Sequence, residues 1–315
     1  MNRSKLVSEG AVYTAVYIAI LLLSFIPVIN AIAIFLMPLP FIVFTSRHGW
    51  KPALLMTLAS FLIAFIFTNL AAIPFTLLAA LGGIVIGNAI HNKRSAYETW
   101  AQGTAAIAVA LVLILLIIQS VFDINFSALI NEQTGNAVQQ FEKVIEQFDM
   151  GEEMTDQLAL VKEQMGLVMN LLPLAIVMSS LIHAFISQWL SYKVINRIEQ
   201  KEFHFPPFRK LTFPTAILWV YLITMLITLT QPDPEGAFFI VVQNIMLLAS
   251  ILILIQGVSF IFYFLYIKKL SPAFSIIGVV LLLFFAPIVF PLVRILGIID
   301  IGFKMRERMS NNNQK

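Results

Sequence analysis

The sequence predicts an all-α fold: a polytopic transmembrane helical bundle of about eight full spans plus a C-terminal span or re-entrant hairpin. Three observations predict it. Of the 315 residues, 59% are hydrophobic and 12% charged, a balance far from that of a soluble domain. The apolar residues gather in runs of about twenty, the length a helix needs to cross a hydrocarbon core roughly 30 Å thick. Basic clusters close these runs at every second gap, and the gaps between carry none.

Arg3/Lys5, Arg47/Lys51, Lys93/Arg94, the group between Lys193 and Lys210, and Lys268/Lys269 mark one side. The gaps at Asn30, at residues 69–72 and at residues 231–236 hold no Lys or Arg. Under the positive-inside rule this places the N-terminus in the cytoplasm of a bacterial cell (inner) membrane protein. The expected spans are residues 10–29, 31–46, 52–70, 71–90, 100–122, 166–190, 213–230 and 237–267. The second is short, and Pro38 and Pro40 predict a bent or broken helix there. The last is long enough to tilt or to project past the headgroups. The first run is read as a retained span and not a signal peptide, because apolar sequence continues directly after it. Residues 272–301 either cross once or form two short limbs broken at Pro287 and Pro291. The basic tail, Lys304, Arg306, Arg308 and Lys315, favours the hairpin and a cytoplasmic C-terminus.

Composition also excludes function classes. The net charge of +3 is accounted for by topology, so it gives no reason to expect nucleic-acid binding. With no cysteine, neither disulfides nor thiolate metal sites arise. His48, His91 and His204 fall in separate gaps with no metal-ligand spacing. Phosphate-loop, zinc-protease and nucleophile-elbow patterns are missing, as are carboxylate pairs within the spans. The chain therefore reads as neither an enzyme nor a cofactor protein, and ATP-driven work would need another chain.

Two connecting segments stand out. Residues 123–165 hold nine of the seventeen acidic residues against two lysines. Within them Val138, Phe141, Ile145 and Phe148 recur at helical spacing opposite Glu142, Lys143, Glu146 and Gln147. That pattern describes an amphipathic helix lying on the membrane or capping the bundle, either a lid over a pocket or a solvated connector. The gap at 191–212 contains Phe205, Pro206, Pro207, Phe208 and Arg209, a stiff extended stretch suited to docking a cytoplasmic partner or to lying at the headgroups.

Small and polar residues inside the spans supply the remaining candidates. Ala11, Ala15 and Ala19 repeat at every fourth position of the first span, and Gly83 and Gly87 do so in the fourth. Internal packing is the default for both, and a contact with a partner helix is the alternative. Ser179, His183 and Ser187 sit at i, i+4 and i+8 in the sixth span with Gln188 beside them. Gln119, Gln243 and Asn244 lie near the outer ends of the fifth and eighth, with Gln256 deeper. Together they are candidates for a ligand pocket, set against plain interhelical hydrogen bonding. Arg294 and Asp300 are the ionised pair of the last apolar run and read first as structural anchors.

The first six spans, through residue 200, resemble the substrate-binding S components of energy-coupling factor transporters. The residues carrying this are the Ala11, Ala15, Ala19 stripe, the segment from Pro38 and Phe41 through Arg47 and Trp50, and the glycine-containing fourth helix ending Gly87-Asn88. That resemblance implies that Ala11, Ala15 and Ala19 contact a transmembrane coupling subunit associated with ATPases. Over its full length the chain is similar to the YybS-like family of bacterial predicted membrane proteins. The matching residues are Phe205-Pro206-Pro207-Phe208 before Phe213-Pro214 and Trp219, and Leu296 to Asp300 followed by Arg306. The implied organisation is an S-component-like domain, 1–200, with an outer loop at 123–165, then additional membrane helices and a basic tail over 201–315. Three functions are expected in this order: a binding subunit for uptake of a small organic nutrient, a non-transporting scaffold or regulator with a cytoplasmic docking loop, and an intramembrane enzyme using His183, which lacks a second catalytic group.

Overall fold

The protein is described by a computed structural model at residues 3–121, 123, 125–147, 168–230, 233, 236–271, 274, 278, 280 and 284–312. Among these residues there is no strand. The chain divides into two compact units, Met1–Phe205 and Pro206–Lys315.

In the first unit, α1 (Arg3–Leu23) stops short of the expected end at residue 29. Pro27 lacks the N–H a continuing helix would need, and it instead opens α2 (Pro27–Leu36) from the first turn, where no such donor is required. The Ser24 hydroxyl donates to the Leu21 carbonyl at 2.6 Å, and the Asn30 amide donates to the Ser24 carbonyl at 2.7 Å, closing the corner. Only Met37 separates α2 from α3 (Pro38–His48), so the pair forms one 22-residue stretch broken at Pro38, as its prolines predict. Gly49, at φ 77°, turns the chain into α4 (Trp50–Thr68).

The segment Trp50–His91 spans 42 residues, about 63 Å if it were one helix, twice the hydrocarbon thickness. It is folded in two by Asn69, at φ 49°, and a single 3-10 turn, Asn69–Ala71, which leads into α5 (Ala72–His91). Helix α5 lies directly on α3. A methyl group added at Gly83 would sit 2.5 Å from Phe41 Cβ and 2.9 Å from the Pro38 carbonyl, and one at Gly87 would sit 2.6 Å from Thr45 Cβ. The Gly83/Gly87 pair is therefore an internal crossing point. Its neighbours Tyr17 and Phe41 pack edge to face at 5.1 Å, and Tyr17 shares a 2.8 Å hydrogen bond with Thr76.

Helices α6 (Ala96–Val121), α7 (Phe126–Gln147) and α8 (Leu172–Glu199) complete the unit. The expected surface helix corresponds to α7. Phe148 and the whole of residues 149–165 lie outside the described residues. Helix α8 runs nine residues beyond its expected end at 190, because Ser191, Tyr192 and Ile195 continue its buried face; Gln200 then stops it in the left-handed conformation.

The second unit contains α9 (Ala216–Thr228), α10 (Ala237–Ile267), α11 (Ala286–Phe303) and α12 (Met305–Asn312). Helix α9 has 13 residues, about 20 Å, so it falls short of the full span expected there. The chain before it stays extended at Leu211, and the Phe213 N–H donates to Gln256 Oε1 at 3.0 Å. Pairings across the unit fix its directions. Thr228 meets Met246 and Phe213 meets Gln256, so α9 and α10 are antiparallel. Leu218 meets Gly302 and Tyr221 meets Arg294, so α9 and α11 are antiparallel too. Helices α10 and α11 consequently run the same way, and the chain joining them, much of it outside the described residues, has to return to the starting end. That is the hairpin alternative for residues 272–301. Its break lies just before Pro287, which opens α11, while Pro291 sits inside the helix.

Seven stretches among the described residues are long and apolar enough to cross a membrane, one of them being the folded pair α4–α5. The chain is a multi-pass helical membrane protein.

Candidate functional site

The expected small-residue stripes meet different fates. Gly83 and Gly87 are consumed by α3, whereas Ala11, Ala15 and Ala19 remain exposed. They line a groove of about 610 Å³ between α1 and α4, walled by Leu22, Leu55, Met56 and Ile63 and floored by Thr14, Ile18 and Phe44. Rows of residues four apart are inclined to a helix axis, so the alanine row presents an oblique, shallow path along α1. Its walls are apolar and outward facing: Val7 is 67% exposed and Leu55 69%. A row of methyl groups beside an open channel lets another helix backbone approach closely.

One end of this groove carries a charged clasp that no sequence spacing announced. Glu9, one residue before Gly10, accepts from His48 Nε2 at 2.8 Å and lies 3.5 Å from the Arg47 guanidinium. Arg47 Nε donates to Glu199 Oε1 at 2.6 Å, and Lys201 meets the other Glu199 oxygen at 2.6 Å. The clasp joins α1, α3 and α8, with Arg47 5.8 Å from the Tyr13 ring centroid. Glu199 lies 152 positions from Arg47, so only the fold brings them together. Arg47→Met should lower stability by about 1–2 kcal/mol, less than the roughly 3–5 kcal/mol of a fully buried pair, because the carboxylates keep water contact and their other partners. Thermal unfolding in mild detergent measures it; a midpoint equal to wild type would mean the clasp contributes nothing net.

The polar residues of α8 form a buried seam, rotated from the expected face. Ser180, His183, Ser187, Gln188 and Ser191 are buried, and Ser179 is exposed. The reason is the 3.6-residue turn: positions 179 and 187 differ by about 80° around the axis, while 180 and 187 differ by about 20°. Spacings of seven and eleven residues, each close to a whole number of turns, would have selected Ser180, Ser187 and Ser191. Ser187 donates to the Phe35 carbonyl at 3.0 Å, and Gln188 donates to the Ala96 carbonyl at 2.9 Å and to the Tyr192 hydroxyl at 2.8 Å. Trp100 Nε1 donates to the Leu181 carbonyl at 2.9 Å. The His183 ring lies 5.2 Å from that of Phe35. His183 Nε2 and Gln188 Oε1 are buried without a hydrogen-bond partner among the described residues, so the seam has unused capacity at an amide oxygen that accepts and at a ring nitrogen that donates or accepts according to its tautomer.

The other candidates are dispersed. Gln119 is exposed near the end of α6. Gln243 and Asn244 belong to α10 in the second unit, where Asn244 donates to the Ile240 carbonyl at 2.7 Å. The proline segment is divided between the units. Phe205 packs against Phe185 at 4.9 Å and Tyr192 at 5.6 Å in the first. Pro206, Pro207, Phe208 and Arg209 belong to the second, where Phe208 meets Phe262 edge to face at 5.4 Å and Arg209 lies over Tyr266 at 4.0 Å. Among the described residues no group of three His, Asp or Glu side chains is arranged to hold a metal ion.

Asp300 pairs with Arg306, not with Arg294. Arg306 Nε donates to Asp300 Oδ2 at 2.8 Å, and its other nitrogens reach the Arg209 carbonyl at 2.8 Å, the Leu211 carbonyl at 3.0 Å and Ser259 at 3.2 Å. Gln256 donates to the same Asp300 oxygen. Lys304, left-handed at φ 49°, reverses the chain after α11 and brings Arg306 back.

Sequence comparison sets this architecture in a family. A family model described as predicted membrane protein (DUF2232) matches residues 14–301. The chain belongs to this family. A member from Bacillus subtilis (strain 168), named Uncharacterized protein YybS, is 31% identical over 316 residues, covering 98% of this chain and 100% of that protein. No solved structure matches. The DUF2232 match takes in both units, from the floor of the alanine groove at Thr14 to the end of the Asp300 region.

Proposed function

We propose that this DUF2232 protein is the substrate-binding membrane subunit of an uptake system for a small organic nutrient, energised by ATPases that reach it through a transmembrane coupling subunit. The observation that carries this reading is the uncovered Ala11, Ala15, Ala19 row along the groove between α1 and α4. The same positions carry the resemblance to S components. The alternation of basic clusters supports an orientation with both termini in the cytoplasm and the Glu9 end of the groove at the cytoplasmic surface. The chain performs no chemistry itself in this reading. The seam around His183, Ser187 and Gln188 is where a polar ligand would find unused hydrogen-bonding capacity.

Affinity purification of the full chain from its host in mild detergent, followed by mass spectrometry, tests the reading. Wild type is expected to bring down ATPase subunits and a polytopic partner, and Ala15→Trp to lose them while keeping its own melting profile. Recovery without ATPases, or with ATPases undiminished in Ala15→Trp, overturns it. Recovery of cell-envelope proteins alone would favour a scaffold that docks through residues 205–209.

A further inference from the structure

We infer that α7 lies flat in the headgroup region of the bilayer, at the end of the bundle where α6 finishes, held there by its own apolar face. At 100° per residue, Leu129, Ile130, Val138, Phe141 and Val144 of this 22-residue helix fall on one half of its circumference. Glu132, Gln139, Glu142 and Lys143 fall on the other. The bundle leaves most of the apolar half open: Leu129 is 42% exposed, Phe141 52% and Val144 43%, and Val138, at the edge of the arc, is buried.

Where α7 begins says what covers that face. Helix α6 presents Val109, Val112, Leu116 and Val121 outward at 53%, 45%, 55% and 51% exposure, a lipid-facing flank that runs to its last residue. From Val121 to Phe126 is five steps, a reach of at most about 18 Å, so α7 starts near the level at which the span leaves the hydrocarbon. Its start is a new helix start and no continuation of α6, since Asn125 Oδ1 accepts from the Ala128 N–H at 3.0 Å as an N-cap. Charge narrows the choice further. The polar half carries Glu132 and Glu142 against Lys143, so two copies paired through this helix would bring acidic flanks together. The same acidity gives no attraction to anionic lipid, unlike the Lys-rich surface helices that rely on it. Apolar burial alone holds α7 down.

The chain has no cysteine, so single-cysteine variants of the full protein carry one spin label each. Labels at Leu129, Phe141, Val144, Gln139 and Lys143, in vesicles of zwitterionic lipid with and without added anionic lipid, report collisions with dissolved oxygen and with an aqueous nickel chelate. Oxygen is expected to dominate at the first three positions and the chelate at the last two, with no change on adding anionic lipid or salt. Chelate access at Phe141 and Val144 equal to that at Lys143 would place the helix in water. Exclusion of both relaxants there would place it under protein, and a contrast seen only with anionic lipid would assign the binding to charge. Each of these three results overturns the inference.

Discussion

Replacing Gly257 or Gly297 with alanine is expected to lower stability by about 3 kcal/mol, the upper end of overpacking penalties. At the crossing of α10 and α11, a methyl group on Gly257 would overlap the Val293 carbonyl oxygen, and one on Gly297 would overlap the Ile253 carbonyl oxygen. Both obstacles are backbone, so no rotamer change relieves them; the helices have to separate. Separation also pulls apart the Gln256 and Asp300 contact beside the crossing. Gly135→Ala is the control, because nothing lies within 4 Å of the added carbon on α7; it should be neutral or mildly stabilising, as alanine favours helix by up to about 1 kcal/mol. Thermal unfolding in detergent compares the three variants. Gly257→Ala as stable as wild type would mean that the helices do not cross at this distance.

Asp300→Ala should rank beside it, at about 3 kcal/mol or more. The side chains of Asp300 and Arg306 are 2% and 11% exposed, and removing the carboxylate leaves a guanidinium among carbonyls and Ser259 with no counter-charge. The double variant Asp300→Leu/Arg306→Met removes the stranded charge and should recover part of the loss. It should not recover all, because Arg306 also ties down the Arg209 and Leu211 carbonyls, leaving those acceptors without their donor. Equal stability of Asp300→Ala and wild type would overturn the pairing; a double variant less stable than both singles together would show that the ties to residues 209 and 211 dominate.

Periodic features along the chain were legible in the sequence. The break at Pro38, the reversal at residues 69–71 and the limits of α10 follow from proline chemistry, the length a bilayer permits and an uninterrupted apolar run. Features that depend on what a helix meets were not. Nothing distinguishes Ala11, Ala15 and Ala19 from Gly83 and Gly87 until α3 is seen to cover one row and leave the other open. The sixth span appeared to end at residue 190 because its polar tail resembles a loop, whereas Ser191, Tyr192 and Ile195 are buried and Glu199 meets Arg47. Arg294 and Asp300 lie in one apolar run but six residues apart, a spacing at which an uninterrupted helix does not bring two side chains directly together. The true partner of Asp300 lies beyond a left-handed residue, a reversal that a lysine at position 304 does not advertise.

The parallel course of α10 and α11 has a consequence for biogenesis. Helix α10 is synthesised with a notch at Gly257 flanked by Gln256 and Ser259, and the surface that fills it, Val293 and Gly297 with Asp300 and Arg306 behind, emerges only after the chain has returned across the bundle. Antiparallel neighbours such as α9 and α10 zip together as each is made. This pair cannot, so during synthesis every molecule passes through a stage in which a polar, indented helix stands without its partner. A ribosome that stalls before Ala286 leaves that stage permanent: Gln256 and Ser259 keep their bonds to the earlier Phe213, Phe208 and Leu211 backbone, but the Gln256 amide N–H lacks Asp300 and the Gly257 notch stays empty.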